Sequence, residues 1–184
     1  MRHEKLLAAD KCVLLVVDIQ EAFEGHINEL DRIIERSKIM IQVARLLKVP
    51  MVITEQYPKG LGRTLGPIRE VLGDCHYYDK VTFSCCQDDS IQKALQNANR
   101  PQVLIVGIET HVCIMQTAYD LLAMHFLPYL AVDAVGSRRE SDCQVALQRL
   151  QQDSVVLTTT EAAIFELTGS AKHPAFKKIS KLVK

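Results

Sequence analysis

The stretch Val103-Leu-Ile-Val-Gly-Ile-Glu-Thr-His-Val-Cys113 decides the fold. Val103 to Val106 form an apolar, mostly β-branched run with no polar face, as in a strand covered on both sides. Gly107 ends the run and a short polar turn follows. From His111 to His125 the period changes, with Val112, Met115, Ala118, Leu122 and Phe126 recurring at helical spacings. That pattern predicts an amphipathic helix. A strand breaking sharply into a helix sets the first helical residues at the carboxyl edge of a parallel sheet, where open α/β proteins hold their ligands. Cys113 lies at that break. A thiol in the first turn of a helix faces unpaired N–H groups and the positive end of the macrodipole, so the position favours thiolate. A buried structural cysteine is the competing reading.

Working outward, Cys12-Val-Leu-Leu-Val-Val17 is a second continuous apolar run, closed by Asp18. Apolar residues from Leu30 to Leu47 make a helical stripe over 27–47, stopped by Pro50. Met51-Val-Ile-Thr54 reads as a short strand and Glu55 to Gly66 as a loop, taken as an active-site flap in preference to a phosphate-binding turn. Further expectations are a short helix over 67–72 and an extended segment ending near Lys80. A helix capped by Asp89 or Ser90 is expected to run to about Asn97. Leu127 to Val132 forms the next strand, ended by Asp133. Ser141 with Gln144 starts a helix, Val155 to Leu157 is the last strand, and Thr158 with Glu161 caps a helix through Leu167. The basic tail over 170–184 carries Phe176, Ile179 and Leu182 at helical spacing, giving a docked or partner-facing helix. Strands alternating with helices predict a three-layer α/β domain over 1–184, with a parallel sheet of about six strands and helices on both faces.

Composition narrows the function. The 184 residues carry 22 basic and 22 acidic side chains, so no charge excess points to nucleic acid or a membrane surface. No apolar run approaches the length of a spanning helix, and Met1-Arg-His-Glu-Lys lacks the features of a targeting segment. Six cysteines without C-x-x-C spacing read as free thiols in a reducing compartment, with the cytoplasm expected. Adjacent Cys85 and Cys86 are not expected to bridge.

Asp18, Lys80 and Cys113 each close a strand-like run, and parallel strands align such ends on one edge. A carboxylate, an ammonium and a thiol in one cleft supply a nucleophile, a proton acceptor and a counter-charge. Phe23, Gln56, Tyr57, Tyr119 and Arg138 are the candidate lining of a substrate pocket, with Arg138 and Arg139 suited to a carboxylate.

Val16-Val-Asp-Ile-Gln20, Asp79-Lys-Val-Thr-Phe-Ser84 and Val106-Gly-Ile-Glu-Thr-His-Val-Cys-Ile-Met-Gln-Thr-Ala118 resemble, in order, three signature blocks of the isochorismatase-like cysteine hydrolases. Val132-Asp-Ala-Val135 and Thr159-Thr-Glu-Ala-Ala-Ile-Phe165 are similar to later landmarks of that family, and the chain looks most like its isochorismatase-domain-containing subgroup. The resemblance implies that Cys113 attacks an electrophilic carbon, Asp18 accepts its proton and later activates water, and Lys80 balances charge. It also implies a cis non-proline peptide at Ile108–Glu109, which turns backbone N–H groups there, including that of Cys113, towards an oxyanion.

The expected substrate is a small molecule of amide, N-carbamoyl or vinyl-ether type, and a homo-oligomer is expected. Nicotinamidase-like relatives hold a metal with an aspartate and histidines after the second strand. Here Glu55-Gln-Tyr-Pro stands in that place with no histidine between His26 and His76, so no metal or other cofactor is expected. The alternative from another class is a hydrolase fold kept as an interaction or scaffold protein.

Overall fold

The structure is a computed structural model and describes residues 2–184. Its centre is a parallel six-stranded sheet: β1 (Cys12–Val17), β2 (Met51–Gln56), β3 (Tyr77–Lys80), β4 (Gln102–Ile108), β5 (Leu127–Gly136) and β6 (Val156–Thr158), in spatial order β3-β2-β1-β4-β5-β6. The helices are α1 (Leu30–Leu46), α2 (Pro58–Leu61), α3 (Gly66–Leu72), α4 (Asp89–Asn97), α5 (Met115–Ala123), α6 (Glu140–Gln152), α7 (Thr160–Thr168) and α8 (Phe176–Leu182).

Alternation along each strand explains why the apolar runs show no polar face. Leu14, Val16, Ile53, Leu104 and Val106 point into a core shared with α1, α3, α7 and α8. Val13, Leu15, Val17, Val103 and Ile105 point into a second core shared with α4, α5 and α6. Both faces are thus covered, and β1 and β4 are buried along their whole length.

The order of strands fixes where the chain can react. From β1 the sheet grows outward through β2 and β3, and then restarts on the other side of β1 with β4, β5 and β6. The reversal leaves a crevice beyond the carboxyl ends of β1 and β4. Gly107 makes the close approach there possible. It lies opposite Val17 at φ +126°, and a Cβ at this position would sit 2.1 Å from the Val17 carbonyl oxygen.

Several boundaries differ from expectation, each for a local reason. β5 does not stop at Asp133. Leu130 pairs with Ile105 but Val135 pairs with Gly107, so β5 bulges between them and resumes. Asp133 sits in that bulge and accepts hydrogen bonds from Thr160 N–H and Oγ1, at 2.7 and 2.9 Å, so it anchors the start of α7. Asp88, one residue early, caps α4 by accepting from Ser90 N–H and Ile91 N–H. Thr159 in place of Thr158 caps α7. Ser141 lies inside α6, whose start follows Arg139 without a side-chain cap.

α1 begins at Leu30, because Glu29 is left-handed at φ +53° and Ile27 turns inward to pack with Ile33 and Ile108. The helix expected from His111 begins as a π-helical turn over Thr110–Ile114 and becomes regular at Met115. The segment read as a flap is pinned. Gln20 Nε2 donates to the carbonyls of Gln56 and Gly62, and Glu55 accepts from Thr64 N–H and Oγ1. The basic tail docks on its own chain, with Ile179 fully buried and α8 against α1. Of its apolar stripe, Ile179 is covered within the chain, while Phe176 and Leu182 stay partly exposed.

Replacing Gly107 by alanine is expected to destabilise the fold by at least about 1–3 kcal/mol, since a positive φ and a backbone collision act together. Thermal melts of Gly107→Ala against the native chain check this.

Candidate active site

The register places the strand-end residues side by side. Val17 pairs with Thr54 on one side and with Gly107 on the other, and Gln56 pairs with Lys80. Asp18, the next residue after β1, is left-handed at φ +50°, a conformation aspartate tolerates better than most side chains. Its N–H donates to the Thr54 carbonyl at 3.2 Å. Its carboxylate lies out of solvent, with Oδ1 accepting from Thr54 Oγ1 and Oδ2 accepting from Lys80 Nζ, each at 2.7 Å.

Lys80 is as deeply held. Its ammonium also donates to Gln56 Oε1 at 2.6 Å and to the carbonyls of Thr82 and Phe83 at 3.2 Å. Burial alone would push this lysine down. The attraction and hydrogen bond of Asp18 outweigh burial and hold it above its ordinary value. The pair is a buried salt bridge with every strong donor engaged.

Cys113 lies in the π-helical turn after β4, 7 % exposed, close enough to Asp18 and Lys80 for both to act on its charge. Burial pushes its thiol up well beyond the ordinary range. The negative Asp18 adds to this and Lys80 opposes it. The helix position favours thiolate, but burial and the neighbouring carboxylate act in the opposite direction. The helix terminus and one ammonium do not overcome burial plus a neighbouring anion. Such a pair can share one proton between sulfur and carboxylate, so its titration belongs to both groups. A second thiol, Cys85, is fully buried beside Thr54 and is pushed up to about 11, chiefly by burial and then by Asp18.

The Ile108–Glu109 peptide is cis. Glu109 is buried, and its carboxylate accepts from Arg138 N–H at 2.9 Å and from Arg138 Nε at 3.1 Å. The Arg138 guanidinium is therefore tied to Glu109, although it reaches a cavity of about 400 Å³ with His26, His111, Arg139 and Asp142. On the opposite flank, Tyr57 lines a cavity of about 300 Å³ with Pro58, Lys59, Asp79, Lys80, Val81 and Asp88. Phe23 is half-buried against Ile27, Ile33 and Ile108.

Tyr119 is not with the others. Its hydroxyl donates to Asp153 just past the end of α6, and Arg149 stacks over its ring. α5 carries it down the helix from the edge that holds Cys113. Among the described residues, no group of three or more His, Cys, Asp or Glu side chains is arranged to hold a metal ion.

Two contributors were missed in the sequence, and a third was read in another role. Thr54 fastens Asp18, and Gln20 accepts from Gln56 N–H at 2.7 Å and ties β2 to the following loop, while Gln56, expected as pocket lining, fastens Lys80. The available signal was polarity out of place, since Thr54 and Gln20 are polar residues beside otherwise apolar runs.

A family sequence profile, the isochorismatase domain, matches residues 12–162. The chain belongs to the isochorismatase family. Among its relatives, isochorismatase domain-containing protein 2 of Bos taurus is 45% identical over 175 residues, covering 94% of this chain and 82% of that protein. A solved structure described as MAR1 ribonuclease from Caenorhabditis elegans is 39% identical with a TM-score of 0.92, covering 97% of this chain and 92% of that one. The YcaC gene product of Escherichia coli, described as an octameric hydrolase of unknown specificity, shares the fold at 19% identity and TM-score 0.91, covering 99% and 91%. The isochorismatase fold is therefore shared well beyond the range of close sequence likeness.

Buried thiols give this isochorismatase-family chain a defined alkaline limit. Burial raises Cys12 and Cys86 to about 12 and Cys85 to about 11, against 9.0 ordinarily. The unfolded chain therefore releases these protons first. Their stabilising effect is complete below about pH 9 and is lost as pH rises towards the folded values, and raised Lys80 acts in the same direction higher up. The melting temperature is expected to hold near neutrality and to fall steadily above about pH 9 in a melt series from pH 6 to 11. A midpoint constant to pH 11 would contradict this.

Proposed function

We propose that this chain is a cysteine-dependent hydrolase of a small molecule of amide, N-carbamoyl or vinyl-ether type, working through Asp18, Lys80 and Cys113. The observation that carries the reading is the buried Asp18–Lys80 pair set against the buried Cys113 thiol. Packing does not require such a pair: well-fitted apolar residues in place of a buried ion pair often leave a protein equally or more stable. That argument tells against the scaffold reading, in which the charges would have no work.

For an amide, the Cys113 proton passes to Asp18 as sulfur attacks the carbonyl carbon. The oxyanion is met by backbone N–H groups of the Ile108–Cys113 turn, in the manner of preorganised donors. Collapse expels the amine, which leaves with the proton from Asp18, and a thioester remains on Cys113. Asp18 then takes a proton from water as the water attacks the acyl carbon. The acid leaves and the thiol recovers its proton. Lys80 keeps Asp18 ionised between steps and offsets the negative charge as sulfur ionises. Tyr57 beside Lys80 on one flank, and Arg138 acting jointly with Glu109 on the other, are the groups that would meet a substrate. No metal or cofactor takes part.

Ribonuclease activity belongs to the description of the nematode protein. The equal numbers of acidic and basic residues here give no electrostatic support for an RNA substrate. An oligomer is proposed from the likeness to the octameric YcaC fold. Free thiols at all six cysteines fit a reducing compartment, and no helix among the described residues is long and apolar enough to cross a membrane.

The test is a panel of small amides, N-carbamoyl compounds and vinyl ethers, followed by product and ammonia release, with RNA as a further arm. Turnover is expected on a small molecule. Cys113→Ala should abolish it, and Asp18→Asn should lower it by about 10²–10⁴. Turnover of RNA alone, or full activity in Cys113→Ala, would overturn the reading. Exhaustive chelation is expected to leave the rate unchanged, and a loss restored by a divalent ion would show a metal-dependent site.

A further inference from the structure

We infer that Thr54 is a positioning residue of this site, its hydroxyl held as a donor by Cys85 so that it sets the orientation and proton affinity of Asp18. The inference rests on the roles proposed above for Asp18 and Cys113.

Thr54 is fully buried, and its single hydroxyl proton goes to Asp18 Oδ1 at 2.7 Å. The other side of the hydroxyl accepts from Cys85 Sγ, 3.9 Å away. Cys85 is itself fixed, because its N–H donates to Thr117 Oγ1 at 2.9 Å on α5. That helix follows the turn carrying Cys113. Cys85 is a thiol at neutral pH, and burial raises it further to about 11, so it remains a donor. With a thiol on its lone pair, the Thr54 hydroxyl is committed to giving its proton to the carboxylate. A chain of hydrogen bonds thus runs from the helix after Cys113, through Cys85 and Thr54, back to Asp18.

The two carboxylate oxygens have unlike partners, a hydroxyl on Oδ1 and an ammonium on Oδ2. Both favour the ionised form. Removing the hydroxyl makes Asp18 a stronger base. The proton shared with Cys113 then rests on the carboxylate more often, leaving more thiolate. Thr54 therefore restrains resting thiolate and keeps Asp18 a ready proton donor to the leaving amine.

Alkylation of Cys113 reads this without a known substrate. The full chain is treated with iodoacetamide from pH 4 to 10, and labelling of the Cys113 peptide is followed by mass spectrometry. The native profile is expected to have an acid limb set jointly by the Asp18–Cys113 pair. In Thr54→Val the limb should move up by about one pH unit and the plateau rate should rise about tenfold, as for loss of one hydrogen bond to a charged group. Thr54→Ala removes the same hydroxyl without added bulk and serves if the valine variant does not fold. Thr54→Ser, which returns the hydroxyl, should bring the limb back.

A purely packing role would lower the melting temperature but leave the limb in place. Superimposable limbs in native and hydroxyl-free proteins, with Cys113 labelling normally, would overturn the role of Thr54 alone. A native Cys113 that fails to label while Cys75 reacts would remove the nucleophile, and the reading of Thr54 with it.

Discussion

An ammonium and a carboxylate 2.7 Å apart, with side chains 0% and 1% exposed, are the constraint around which the rest of this structure is arranged. Neither charge can be left alone at that depth, since breaking one partner from a buried pair costs about 3–5 kcal/mol. The surroundings therefore supply every remaining partner. Gln56 and the carbonyls of Thr82 and Phe83 receive the lysine protons, and Thr54 takes the second carboxylate oxygen. These partners come from β2 and the loop after β3, so the pair also holds the edge of the sheet in shape. A thiol added to such a cluster is pushed up first by burial and then by Asp18, with Lys80 opposing.

The strand order turns this cluster into a site. Asp18 follows β1 and Cys113 follows β4, the two strands that flank the reversal of winding, while Lys80 reaches in from β3 across β2. Gly107 allows β4 to pass close to the Val17 carbonyl, and the cis Ile108–Glu109 peptide and a π-helical turn follow at once. Glu109, buried beneath this turn, is satisfied by Arg138 from the end of β5. The glycine, the cis peptide and the π-helical turn all lie within a few residues of Cys113, as is common where structure serves chemistry rather than stability.

Much of this was legible in particular residues. The apolar runs of Cys12–Val17 and Val103–Val106 could only be strands covered on both faces, and the change of period after Gly107 marked the turn into a helix. What misled was local capping chemistry. Ser141 with Gln144, and Thr158 with Glu161, fit a capping pattern that the tertiary fold overrode by one or two residues. Asp133 looked like a strand end because an aspartate usually is one, yet a bulge lets β5 continue while that carboxylate binds the start of α7. Tyr119 was expected to line the pocket, but helical rise carries it towards Asp153.

The sequence by itself determined the layer architecture, the parallel sheet and the identity of three residues at strand ends, because hydrophobic period and strand termini are properties of neighbours along the chain. Only the tertiary structure decided the burial of Cys113 beside Asp18 and Lys80, the fastening of Asp18 by Thr54, and the capture of Arg138 by Glu109. Burial and electrostatic contact depend on distances between segments that lie far apart in sequence, such as Asp18 from Lys80 or Thr54 from Cys85. A helix terminus read from sequence favours thiolate, but desolvation and an anion brought in from another strand outweigh it once the chain has closed on itself.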